Sequence, residues 1–101
     1  MRNETIPVMP QQLLKNMSRE QFMVLDVRTC HEFIGGHVAG AVNIPYDRLD
    51  FFIEEIMTWN KPIIVVSAGG RRSHIAARFL TNRGLEAIDG GDWEEIHQLL
   101  D

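Results

Sequence analysis

The chain has 101 residues, 45% of them hydrophobic and 24% charged, a length and balance that suit one globular domain and speak against disorder. A net charge of -4 speaks against general attraction to nucleic acid or an anionic membrane, and the single cysteine, Cys30, excludes an internal disulfide and any metal motif built on paired thiols. No run of apolar residues is long enough to span a membrane, and Met1 to Gln12 hold no stretch of signal-peptide length, so the chain reads as cytoplasmic and soluble, although a mature secreted form lacking its signal looks the same.

Strand and helix patterns alternate along the whole chain, which predicts an α/β domain. Thr5-Ile6-Pro7-Val8 is a short extended piece whose proline suits a sheet edge. Gln11 to Met17 places Leu13, Leu14 and Met17 at helical spacing, and Phe22 to Val27 is a second strand, apolar until Asp26. Asp26 and Arg28, two positions apart at a strand end, fall on one side and can join in a charge-assisted bond that ties down the next loop, a supporting role more than a catalytic one. Glu32 caps or anchors a one-turn helix over His31 to Gly35, Phe33 packs inward, and His37 reads as a hydrogen-bonding structural histidine.

Ala41 to Ile44 is a third strand, stopped by Pro45. Tyr46 to Trp59 reads as a helix with Leu49, Phe52, Ile53, Ile56 and Met57 on its buried face, and Asn60-Lys61-Pro62 turns the chain into the next strand. Pro62 to Val66 is a β-branched run without a polar residue, the pattern of a strand covered on both faces, and is therefore the predicted centre of a parallel sheet. A helix over Ser73 to Arg83 follows, with Ile75, Ala76, Phe79 and Leu80 as its buried stripe and Gly84 ending it. Leu85 to Ile88 is a last short strand, and Trp93, Ile96, Leu99 and Leu100 make the apolar face of the final helix.

The segment with chemical content is Ser67-Ala68-Gly69-Gly70-Arg71-Arg72-Ser73. Its small residues let the backbone curl and turn successive N–H groups toward one point, and Ser73 is placed to cap a helix whose positive end faces the same point. Such a cradle holds an anion, and Arg71 and Arg72 supply forked donors at its rim. His74, Arg78 and Arg83 add to a local basic cluster in an otherwise acidic chain, which makes a small anion the better partner.

The loop resembles the active-site loop of rhodanese-like domains, and a longer stretch strengthens the likeness. Asp26-Val27-Arg28 leads to Glu32-Phe33, Gly36-His37, Gly40-Ala41 and Asn43-Ile44-Pro45 at the internal spacings of the rhodanese signature, and Gly90-Gly91-Asp92-Trp93 is similar to the family's closing Gly-Gly and Trp. The resemblance implies a three-layer sandwich, a mainly parallel five-stranded sheet with helices on both faces, and a site at the carboxyl ends of the strands. It implies a cysteine nucleophile at position 67, carrying sulfur as a persulfide from thiosulfate or another persulfide to cyanide, a thiol or a protein acceptor, with no cofactor. This chain has Ser67 there.

A thiolate is a good nucleophile near neutral pH and is favoured further by a helix N-terminus and nearby arginines, whereas a serine hydroxyl has neither advantage and needs a positioned base. Persulfide chemistry is therefore expected to be absent in the Ser67 form, whether the serine is native or stands in for an original cysteine. A non-catalytic module that binds a small anion or a protein partner is the alternative reading.

Other chemistries fit less well. The nucleophile-elbow pattern Gly-x-Ser-x-Gly fails at Val65, the lysine of a nucleotide-binding loop is missing, and the four histidines lack the paired spacing of a zinc site. The phosphatases that share the rhodanese fold have by resemblance a loop one residue longer, while four residues separate Ser67 from Arg72 here. Cys30 falls at the same sheet edge and reads as a small, half-buried rim residue more than as a displaced sulfur carrier.

Overall fold

Strand β3, Ile63–Ser67, is buried along its whole length and lies inside a parallel sheet whose order is β2 (Val42–Asn43), β1 (Met23–Asp26), β3 and β4 (Ala87–Asp92). The structure, a computed structural model, describes residue 14 and residues 16–100. The sheet has four strands among the described residues, where the sequence suggests five; the fifth, Thr5 to Val8, lies outside them, as does most of the predicted helix Gln11 to Met17.

Side-chain alternation along β3 divides the core between the two faces of the sheet. Ile63 and Val65 pack with Leu25, Leu49, Ile56, Ala76 and Leu80 on one side, and Ile64 and Val66 with Phe22, Val24, Val38 and Ile96 on the other. Helices cover both faces. Helix α1 is Cys30–Ile34, α2 is Ile53–Met57, α3 is Arg71–Thr81 and α4 is Trp93–Leu100. Among the described residues no helix is long and apolar enough to cross a membrane.

Three helix readings change. Tyr46–Phe52 is a 3₁₀ segment, and only after it does the α-helical α2 begin. With three residues per turn the apolar face drifts, so Leu49 and Ile56 are buried while Phe52 and Met57 reach solvent. Helix α3 starts two residues before Ser73, and its buried stripe is Ser73, Ala76, Ala77 and Leu80, leaving Ile75 half exposed. In α4, Ile96 is buried but Leu99 is 43% exposed.

The last strand runs well past Ile88 because a bulge absorbs the glycines. Val65 pairs with Asp89 and Val66 with Gly91, so Gly90 is the extra residue. A Cβ at Gly90 would stand 2.8 Å from Ile64 Cγ2 and 3.0 Å from the Val65 carbonyl oxygen, a space that only glycine fits. The extra residue sets Asp92 beside Ser67, at the carboxyl edge of the sheet.

Candidate functional site: the loop between β3 and α3

Ser67 ends β3 fully buried, and its Oγ accepts the Ser73 N–H at 3.0 Å. This corrects the role expected of Ser73. The N-cap of α3 is Gly70, at φ +87, and Ser73 sits in the first turn, where its amide is one of the donors that a helix leaves unpaired. The residue 67 side chain supplies the acceptor that an ordinary N-cap serine would supply.

Gly70 is required twice over, by its left-handed backbone and by the approach of β4, since a Cβ there would lie 3.3 Å from Gly91 Cα. Among the described residues the N–H groups of Ala68, Gly70, Arg71 and Arg72 have no protein acceptor. The Gly69 N–H does have one, the Asp92 carboxylate, at 3.0 Å.

The two arginines differ. Arg72 forks onto Glu32, Nη1 to Oε1 at 2.8 Å and Nη2 to Oε2 at 3.1 Å, bridging α3 to α1. Arg71 is exposed and has no side-chain partner among the described residues. The guanidinium of Arg72, helped by the Thr29 N–H, holds the Glu32 carboxyl down from its ordinary 4.5 to about 2, and the same pair raises Arg72. Glu32 thereby does two jobs, since it also closes the capping box of α1, accepting from Thr29 N while its own N–H reaches Thr29 Oγ1.

Behind the loop, Asp26 and Arg28 form the expected pair, fully buried, with Nε to Oδ1 at 2.9 Å and Nη2 to Oδ2 at 2.7 Å. Arg28 also donates to the Gly36 carbonyl at 2.7 Å and lies over the Trp93 ring at 4.5 Å. His37 bonds the Phe33 carbonyl at 2.7 Å and stacks on its ring. Cys30 is an exposed free thiol in the first turn of α1, not a half-buried one.

Two residues to which the sequence pattern assigns no site role, Asp89 and Asp92, also reach the loop and the first turn of α3. Asp89 lies 2.7 Å from Ser73 Oγ, whose one proton serves this carboxylate ahead of the Gly70 carbonyl at 2.9 Å, and its other oxygen is 3.4 Å from His74 Nδ1. Asp92 holds Gly69. Residues three apart in a regular strand face opposite ways; the bulge at Gly90 lets both aspartates reach one loop. The Asp-Gly-Gly-Asp run was the available signal, since paired glycines within a strand mark a bulge.

The family described as Rhodanese-like domain matches residues 9–96. The chain belongs to this family. Thiosulfate sulfurtransferase GlpE of Shewanella oneidensis is 30% identical to this rhodanese-like domain over 91 residues, covering 85% of this chain and 89% of that protein. YqhL of Bacillus subtilis is 35% identical over 88 residues, covering 80% of this chain and 69% of that protein. Among solved structures, a rhodanese-related protein from Thermoplasma volcanium superposes with a TM-score of 0.70 at 32% identity, covering 86% of this chain and 84% of that one. These likenesses agree with the parallel sheet and its helices on both faces.

Proposed function

We propose that this rhodanese-like domain is a sulfurtransferase-type site that, with serine at position 67, binds a small sulfur anion without covalent turnover. The observation that carries the reading is the placement of residue 67: its side-chain oxygen is buried at the end of β3 and seated on a first-turn amide of α3. An atom held there meets the Ser73 main-chain donor and the positive end of a helix, the surroundings that stabilise a thiolate or a persulfide anion. Oxygen in that seat caps the helix. It does not carry sulfur, and no histidine or carboxylate contacts it to serve as a base among the described residues.

With cysteine at position 67 the chemistry balances in two displacements. The thiolate attacks the outer sulfur of thiosulfate, forming an S–S bond and releasing sulfite, and cyanide or a thiol then takes that sulfur and regenerates the thiolate. The loop amides of Ala68, Gly70, Arg71 and Arg72 and the Arg71 side chain would steady the anions, while Arg72, tied to Glu32, shapes the rim. The acceptor is a small thiol or a protein thiol, and the exposed free Cys30 suits a reducing compartment such as the cytoplasm.

The test compares the chain with its Ser67→Cys variant. The Ser67 form should make no thiocyanate from thiosulfate and cyanide above the uncatalysed rate, while Ser67→Cys should. Turnover by the Ser67 form would contradict this chemistry; an inactive Ser67→Cys protein that still shifts its 68–73 amides with thiosulfate would make the domain a binding module only.

A further inference from the structure

Three carboxylates reach the loop between β3 and α3 or the first turn of α3. Glu32 engages the Arg72 side chain, Asp89 the Ser73 hydroxyl and Asp92 the Gly69 N–H. Against them stand two guanidinium groups, one of which is already matched by Glu32. Asp92 differs from the other two because it bonds to the cradle backbone itself. It occupies a donor that an incoming anion would otherwise use, and it sets a negative charge at the mouth.

We infer that Asp92 is a specificity-determining residue of this site, its carboxylate favouring singly charged sulfur anions of the persulfide or hydrosulfide class over doubly charged ones such as thiosulfate. The inference rests on the proposed anion site. Coulomb repulsion scales with the product of the charges, so a dianion at one position feels twice the repulsion of a monoanion. The fold-change on removing the charge is then squared for the dianion.

Asp92→Asn removes the charge and keeps an oxygen for the Gly69 N–H. Dissociation constants for thiocyanate and thiosulfate, read from amide shifts of residues 68–73, should fall by about threefold and about tenfold respectively. Asp92→Ser, a smaller neutral replacement, should move the ratio the same way, and Glu54→Gln, the same charge change on exposed α2, should leave it in place. Equal factors for the two anions, or none, overturn the role of Asp92.

A second readout separates this from the underlying reading. In a Ser67→Cys background, Asp92→Asn should lower the KM for thiosulfate by about tenfold. Turnover with an unchanged KM sinks the Asp92 role and leaves the sulfur reading standing. Absence of anion binding in every variant, together with an inactive Ser67→Cys protein, sinks both.

Discussion

Two arginine–carboxylate forks stand near the carboxyl edge of this sheet, and their surroundings give them different work. Asp26 and Arg28 are two residues apart, with side chains 0% and 4% exposed, and Arg28 spends its remaining donors on the Gly36 and Glu32 carbonyls beneath the Trp93 ring. Glu32 and Arg72 are forty residues apart, and their side chains are 37% and 25% exposed. The buried fork has already lost its water, so either partner left alone is an uncompensated charge in the core. The outer fork keeps water within reach, contributes little to stability and can hold the loop rim in place without locking it.

The sharpest way to break this contrast is to remove one member of the buried fork. Arg28→Met should destabilise the domain by about 3–5 kcal/mol in a urea titration, and pairing it with Asp26→Leu should recover much of that loss, since no charge is then stranded. If Arg28→Met costs no more than a change at the outer fork, the distinction between the two is wrong.

Glu32→Gln should cost only ~0.5–1 kcal/mol at low salt, a figure already discounted for solvent screening, with most of the loss disappearing near 1 M salt. The smallest effect is on pH dependence. The folded Glu32 carboxyl titrates at about 2 and the unfolded one near 4.5, so its contribution is fully present above about pH 4.5 and is lost as the pH falls toward 2. The gap in stability between the wild type and Glu32→Gln should therefore close over that interval. A constant gap would mean that the Arg72 fork is not what holds the Glu32 proton off.

Much of this was legible in the chain itself, and the reason is separation along the sequence. The Asp26–Arg28 fork spans two residues, so the local backbone alone brings the groups together. The anion loop was readable from the glycines between a buried strand and a helical pattern, although its cap was misassigned: Ser73 has the right side chain for an N-cap, but the left-handed Gly70 starts the helix earlier. The exposed faces of Phe52, Ile75 and Leu99 were misread because helical period alone cannot say where a helix starts, or whether a turn is 3₁₀.

By itself the sequence determined that strands and helices alternate, that Pro62 to Val66 runs through the middle of the sheet, and that oxygen and not sulfur occupies residue 67. These follow from local pattern and from the identity of one atom. Only the tertiary structure decided that Glu32 claims Arg72 and that Asp92 claims the Gly69 amide. Those contacts depend on how parallel strands register and on one extra residue in β4, where a shift of a single position turns a side chain to the other face of the sheet.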